Sequence, residues 1–326
     1  WTDRLMFDIM GDLAFGRSFE IKEPGPNPVK EISYHIVNYV RFFYPVSAYI
    51  TRSPFMEFVS WSEPRVLSYL FDLITPKEVK PYYQFIHDSV SCRVEVEKNN
   101  KSSREPRLDI FHFWCNARHP GTGELAYTEK ALRAEALLLI VAGSYSLATA
   151  TSGFWFYMSR NPRACSKLTK EIRSAFSSSE DIFSGSKLGS CSYLYACIDE
   201  TLRLTPPTPS ELGLETFLGR ASINGEYFQQ GVVVGCSGYS LGRSENTFCD
   251  PGKFRPERYI PSEKTRVTVD EVKRLKVGYH PFLIGPTNCA GISRMDGRIQ
   301  IRVKGIIGTE GMRRGPGHDA LWCGMI

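Results

Sequence analysis

A cysteine set between turn-forming residues is the feature that most constrains this chain. Residues 282–291 read Phe-Leu-Ile-Gly-Pro-Thr-Asn-Cys-Ala-Gly, so that Cys289 follows Gly285 and Pro286 and lies just before Gly291. Glycine and proline favour turns. A turn here would present the sulfur outward on a fixed backbone, with nearby amide groups free to point at it. Such a thiolate suits an axial metal ligand.

Two further motifs precede this loop in a fixed order. Residues 200–203 read Glu-Thr-Leu-Arg, a Glu-x-x-Arg pattern, and residues 254–259 read Phe-Arg-Pro-Glu-Arg-Tyr. Together with the loop they resemble the cytochrome P450 family, in particular its fungal secondary-metabolism type. The family's haem-binding loop is Phe-x-x-Gly-x-Arg-x-Cys-x-Gly, and this chain has Thr287 in place of the arginine. The similarity runs from about Asp3 to Arg298.

The resemblance implies a haem b cofactor whose iron is bound by Cys289. A thiolate ligand donates electron density to the iron and favours cleavage of the O–O bond. The alternative for the motif taken alone is a surface cysteine in a turn. The residues that the resemblance assigns to cofactor binding are Phe282, Gly285, Asn288, Cys289, Ala290 and Gly291.

Glu200 and Arg203 lie three positions apart, which places them on one face of a helix. By resemblance they join Arg258 in a buried structural network on the haem side of the core. The alternative is an exposed ion pair, which would contribute little to stability.

The resemblance also places an oxygen-activation motif at residues 142–146, Ala-Gly-Ser-Tyr-Ser. Gly143 would permit a helix distortion beside the iron, and the hydroxyl of Ser146 would relay a proton or hold a water. Tyr145 stands where the family has an acid. A tyrosine hydroxyl has a pKa of about 10, which makes it a poor proton relay near neutral pH.

The family holds the haem propionates with arginines from several places, and two of these are absent here. Thr287 replaces one, and residues 210–216, Ser-Glu-Leu-Gly-Leu-Glu-Thr, contain none. A hydrogen bond to a charged group contributes about 1.5–3 kcal/mol. We therefore expect haem to bind more weakly than in the family.

Patterns of apolar residues, caps and breakers predict a mainly α fold with a small β-sheet. The resemblance implies that this is a partial cytochrome P450 fold. Thr128 is expected to cap a long central helix that ends near Arg160, and Asn224-Gly225 to form a hairpin turn. Residues 1–304 are predicted to be a partial P450 domain and residues 305–326 an aberrant, disordered tail. The predicted elements are helices at 1–19, 162–176 and 193–204, a loop at 177–190, strands at 221–223 and 226–228, and a continuation of the sheet at 232–234.

Composition excludes several other classes. The net charge of +5 is too small to indicate nucleic-acid binding. The nine cysteines show no Cys-x-x-Cys spacing, so neither a zinc framework nor a disulfide scaffold is indicated. The basic residues within 264–276 are interpreted as a solvated loop face, with a docking face for an acidic partner as the alternative.

The expected function is a haem-thiolate monooxygenase that inserts one atom of O₂ into a small apolar substrate, using electrons from NADPH-cytochrome P450 reductase. One alternative is a non-catalytic P450 remnant, or a fragment from an incorrect gene structure. Another is a haem-thiolate isomerase or dehydratase. The resemblance implies the cytosolic face of the endoplasmic reticulum membrane for an intact member. Membrane contact is expected through a missing N-terminal anchor and through residues 29–75, and no transmembrane segment is expected in this chain.

Overall fold

The fold is mainly helical, as predicted. The computed structural model describes residues 2–31, 34–35, 38, 77, 79–99, 108–178, 181–182, 185–211, 213–216, 221–285 and 288–291. Most of the segment at 29–75 and the predicted tail at 305–326 therefore lie outside the described residues. The described helices are α1 (Thr2–Phe15), α2 (Lys80–Asn99), α3 (Ile110–Asn116), α4 (Glu129–Arg160), α5 (Pro162–Ala175), α6 (Ser186–Gly189), α7 (Ser192–Leu204), α8 (Gly238–Leu241) and α9 (Val269–Gly278), with short 3₁₀ turns at Pro28–Lys30 and Pro256–Tyr259.

The chain divides into two compact units, residues 1–145 and 146–326. The predicted boundary at residue 304 lies beyond the described residues and stays a prediction. In the first unit, α1, α2 and α3 pack around a core to which the first half of α4 contributes. Phe15 and Phe111 lie in this core with their ring centroids 4.9 Å apart. The hydroxyl of Tyr82 donates to the carbonyl of Leu137, at 2.9 Å, and so ties α2 to α4.

A buried ion cluster joins α2 to α3 within the same unit. Arg93 donates two hydrogen bonds to Asp109, at 2.9 and 3.0 Å, and a third to Glu97 at 2.8 Å. Asp109 also caps α3, because its carboxylate accepts the amide of His112 at 2.8 Å. Each charge in this cluster has a partner of opposite sign, as burial requires.

The central helix α4 begins where the sequence predicted. The hydroxyl of Thr128 accepts the amide of Ala131 at 3.2 Å, which satisfies one of the free amides of the first turn. The helix ends at Arg160, before Pro162. Among the described residues, α4 is the one helix long and apolar enough to cross a membrane. Core helices of soluble proteins meet the same criterion, and 44% of its most apolar window is buried within the protein.

In the second unit, α7 is almost entirely buried. The carboxylate of Glu171, on α5, accepts the amides of Tyr193 and Leu194, both at 2.9 Å. A carboxylate at a helix N-terminus accepts hydrogen bonds from the free amides there and interacts favourably with the positive end of the helix dipole. Glu171 thus fixes the start of α7 against α5.

The β structure consists of short antiparallel pairs. Strand β2 (Ala221–Ile223) pairs with β3 (Glu226–Phe228) around Asn224 and Gly225, both with positive φ, as the hairpin prediction required. The expectation that residues 232–234 extend this sheet is wrong. Strand β4 (Val233–Val234) pairs instead with β1 (Leu214–Glu215) in a separate two-stranded sheet. The described residues therefore contain two small sheets.

Two helices replace predicted loops. The loop expected at 177–190 contains α6, and much of the basic segment at 264–276 lies on α9. Thr268 caps α9 by accepting the amide of Glu271 at 3.1 Å. The pattern Thr-x-x-Glu is a recognised helix start, so the sequence held a signal for α9 that the loop interpretation missed.

Candidate haem-thiolate site

The motif residues Glu200, Arg203 and Arg258 meet in the core of the second unit. Arg203 donates from Nε and Nη2 to the two carboxylate oxygens of Glu200, each at 2.8 Å. Arg258 donates from Nε to Oε1 of Glu200 at 3.2 Å. The side chains of Glu200 and Arg203 have no exposed surface, and that of Arg258 is 3% exposed. An exposed ion pair, the alternative at Glu200 and Arg203, does not occur.

The surplus positive charge of this network is directed at main-chain carbonyls. Arg203 donates to the carbonyls of Gly242, Pro251 and Lys253. Arg258 donates to that of Cys249 at 2.8 Å. These carbonyls belong to the segment between β4 and the 3₁₀ turn at Pro256–Tyr259, so the two arginines hold that segment against α7.

An aromatic ring covers the network, a contact that the sequence pattern does not indicate. The ring of Phe248 is fully buried, and the guanidinium of Arg203 lies 4.9 Å from its centroid. Such a cation–π contact stabilises a buried guanidinium. Tyr279 lies nearby and donates its hydroxyl to the carbonyl of Leu202 at 2.9 Å. Burial raises the pKa of Tyr279 despite the opposing charges of Arg203 and Arg243, so the phenol remains a donor.

Tyr279 leads directly into the cysteine loop, which is closed by main-chain hydrogen bonds. The amide of Cys289 donates to the carbonyl of Phe282 at 2.9 Å, and that of Asn288 donates to Gly285 at 3.1 Å. Gly285 has φ of 70° and Leu283 has φ of 59°. The first suits glycine, whereas the second is uncommon for a leucine. The loop is therefore held in a specific conformation.

The loop residues fit a large apolar ligand bound through sulfur. Cys289 is exposed, and so are Asn288 and Ala290 beside it. Leu283 and Ile284 expose 40% and 64% of their surfaces, so two neighbouring aliphatic side chains of the loop reach solvent. A Cβ added at Gly285 would meet nothing within 4 Å, so one side of the turn is open. The loop thus presents a cysteine and exposed aliphatic side chains, the two kinds of group that would hold a haem.

Phe282 is half-buried and Gly291 lies close to the sulfur, since a Cβ added there would be 3.6 Å from Sγ of Cys289. Thr287 lies outside the described residues. The assignment of the loop residues to haem binding stays a prediction, which their arrangement supports.

The predicted oxygen-activation segment lies on α4. This helix runs from Glu129 to Arg160 and includes Gly143. Ser144 is buried and its hydroxyl donates to the carbonyl of Ile140. Tyr145, in the position of the family's acid, is 43% exposed, and Ser146 is half-buried. The catalytic roles of Gly143 and Ser146 stay predictions.

Comparison with known proteins agrees with the motifs and the fold. The family model described as cytochrome P450 matches residues 1–294. Cytochrome P450 monooxygenase apf7 of Gibberella fujikuroi is 31% identical over 300 residues, covering 89% of this chain and 52% of the relative. Cytochrome P450 monooxygenase fscF of Fusarium equiseti is also 31% identical and covers 89% of this chain and 53% of that protein. The crystal structure of the cytochrome P450 CYP102L1 superposes with a TM-score of 0.64 at 19% identity, covering 94% of this chain and 60% of the other.

The chain therefore belongs to the cytochrome P450 family. The predicted family, its fungal type and the mainly α fold are confirmed. The chain spans about half the length of the curated relatives named above.

Proposed function

We propose that this chain is the haem-binding part of a haem-thiolate monooxygenase. The observation that carries the proposal is that Cys289 is exposed on a closed loop, which also exposes the side chains of Leu283 and Ile284. Haem bound through a cysteine thiolate supplies activation of O₂ and transfer of one oxygen atom. The proposed substrate is a small apolar molecule, and the proposed electron donor is an NADPH-dependent reductase.

In this proposal the chain's residues bind and position the cofactor. Cys289 ligates the iron as thiolate, and the main-chain bond from its amide to Phe282 fixes where the sulfur points. Leu283 and Ile284 would offer exposed aliphatic surface to the bound haem. The buried network of Glu200, Arg203 and Arg258 acts at a distance, by fixing the core from which the loop projects. These three residues are structural in this proposal.

Ser146 is the proposed group for proton delivery. It lies on the central helix beside Tyr145, where the family has an acid. A hydroxyl holds or passes a proton without changing its own charge, so Ser146 needs water or another group to supply that proton. Gly143 is proposed to act in the same segment of the helix. The bound cofactor is proposed to be haem b. The protein is proposed to lie at the cytosolic face of the endoplasmic reticulum membrane.

A haem titration with matched cysteine variants tests the proposal. Purified protein is titrated with haem, reduced and exposed to carbon monoxide, and the difference spectrum is recorded. The wild-type chain and Cys249→Ser are expected to give the absorbance of a thiolate-bound haem. Cys249 is the matched control because it is also exposed. Cys289→Ser is expected to lose the signal. A histidine-type spectrum for the wild-type chain, or the same spectrum for Cys289→Ser, would contradict the proposal.

One observation favours a second candidate, a haem-thiolate isomerase or dehydratase. Such enzymes need no external electrons and no acid on the central helix, and this chain has Tyr145 in that position. Turnover of a peroxidised or hydroxylated apolar substrate without reductase would support this candidate. A non-catalytic remnant would bind haem, if at all, without turnover in either assay.

A further inference from the structure

Met10 of α1 occupies the space that a side chain at position 143 would need. A Cβ built on Gly143 would lie 2.5 Å from Cε, 2.7 Å from Sδ and 3.3 Å from Cγ of Met10. Distances below 3.0 Å are essentially never found for real Cβ atoms. Met10 is 5% exposed and belongs to the core of residues 1–145. The thioether is therefore seated in a notch that exists because residue 143 is glycine.

The backbone of Gly143 does not itself require glycine. Its φ is not among the positive values, and α4 is continuous through it. Glycine inside a helix lowers the ratio of folded to unfolded protein about fivefold relative to alanine. Glycine at position 143 therefore needs another explanation, and the close approach of the Met10 side chain provides one.

We propose that Met10 is a positioning residue for the oxygen-activation segment of α4. Its thioether, seated against Gly143, fixes the rotation and axial position of α4 at the segment that carries Tyr145 and Ser146. A helix that rotates or slides there would change the direction in which the Tyr145 and Ser146 side chains project, and with it any contact that they would make with a bound haem. The effect of Met10 on the haem site rests on the proposed function, whereas the contact between Met10 and Gly143 does not depend on haem.

The first test is a double-mutant cycle on stability, measured by denaturant unfolding of the chain. Gly143→Ala alone is expected to lower the ratio of folded to unfolded protein by roughly tenfold or more, because the core must repack around the new methyl group. In a Met10→Ala background the same substitution is expected to raise the ratio about fivefold, since only the gain in helix propensity remains. If Met10→Ala does not fold, Met10→Val replaces it, because valine also lacks the Sδ and Cε atoms.

The second glycine of α4 provides the control. A Cβ at Gly153 would meet Thr205 Cβ at 3.1 Å and Thr201 Cγ2 at 3.3 Å, so Gly153→Ala makes the same chemical change in the same helix against other neighbours. Gly153→Ala is expected to change the ratio of folded to unfolded protein by the same factor in the wild-type and Met10→Ala backgrounds. Equal effects of Gly143→Ala in the two backgrounds, within about twofold, would overturn the inference.

The second test reads the haem site. The ferric absorbance spectrum of haem-loaded Gly143→Ala is expected to shift from that of the wild type, and adding Met10→Ala is expected to restore it. A spectrum that Gly143→Ala leaves unchanged overturns the positioning role, even if the stability cycle shows coupling. If the wild-type chain gives no thiolate-haem spectrum, the proposed function and the positioning role fail together. The double-mutant cycle on stability would then still show whether Met10 and Gly143 are in contact, because that measurement does not need haem.

Discussion

Arg203 donates two parallel hydrogen bonds of 2.8 Å to the carboxylate of Glu200, and neither side chain reaches solvent. Bidentate pairs of this kind are the strongest ionic hydrogen bonds in proteins. Their value lies less in the pair itself than in what its loss leaves behind, an uncompensated buried charge.

Glu200→Gln is therefore expected to destabilise the protein by about 3–5 kcal/mol, because Arg203 and Arg258 would remain buried without a counter-charge. Urea unfolding measures the effect. The control is Lys253→Ala, which removes an exposed pair with Asp250 of 3.1 Å. Its cost is expected to stay below about 1 kcal/mol. A similar cost for both variants would show that the network contributes no more than a surface ion pair.

Glu97 is expected to make stability depend on acid pH. Burial alone would raise its pKa, but hydrogen bonds from Asn116 and Arg93, with the charges of Arg93 and His112, hold the pKa below the ordinary value of 4.5. The folded state thus favours the ionised carboxylate. This contribution is fully present above the ordinary pKa and is lost as pH falls through the lowered one.

Glu97→Gln is accordingly expected to be less stable than the wild type at neutral pH, with the difference narrowing as the pH falls below about 4. Unfolding curves at several pH values provide the measurement. Glu129→Gln, in an exposed pair with Arg133, is the control and is expected to change stability little at any pH. A gap between Glu97→Gln and the wild type that stays constant with pH would refute the assignment.

Thr287→Arg is expected to tighten haem binding. It restores the arginine that the family places in the loop, and one charged hydrogen bond to a propionate contributes about 1.5–3 kcal/mol. The dissociation constant for haem should fall roughly 10- to 150-fold. Thr287→Gln, which restores length but not charge, should give a much smaller change. Haem dimethyl ester distinguishes the cause, because the gain should disappear when the propionates are uncharged.

Tyr145→Glu is expected to raise the rate of product formation in the haem-loaded protein, because it restores a carboxylic acid at the position where the family has one. Exposure of Tyr145 leaves room for the change. The measurement is the rate of product formation at a fixed supply of electrons. Tyr145→Phe is the control and should match the wild type. Loss of activity in Tyr145→Phe would instead assign proton delivery to the tyrosine hydroxyl.

Features set by local chemistry could be predicted from the sequence. Thr128 caps the central helix, Pro162 follows its end, and Asn224 and Gly225 form a hairpin because few other residues tolerate positive φ. The resemblance of the ordered motifs to the P450 family also predicted that Glu200, Arg203 and Arg258 form one network.

Features that depend on distant partners could not be predicted. Val233 pairs with Glu215, and not with the neighbouring hairpin, because pairing is decided by where the chain returns and short strands carry little pattern. Met10 against Gly143 joins positions far apart in the sequence, and neither residue alone indicates the contact. The stacking of Phe248 on Arg203 was hidden for the same reason.

Arg203 and Arg258 bind the segment at 242–253 through its main-chain carbonyls. A carbonyl is the same group in every residue, so these hydrogen bonds specify the path of the segment without specifying its exposed side chains, whereas the buried Phe248 is also held by its contact with Arg203. Substitutions on the exposed positions of this stretch should therefore be accepted in large numbers. The surface of the segment at 242–253 can thus change its chemical character while the path of its backbone stays the same.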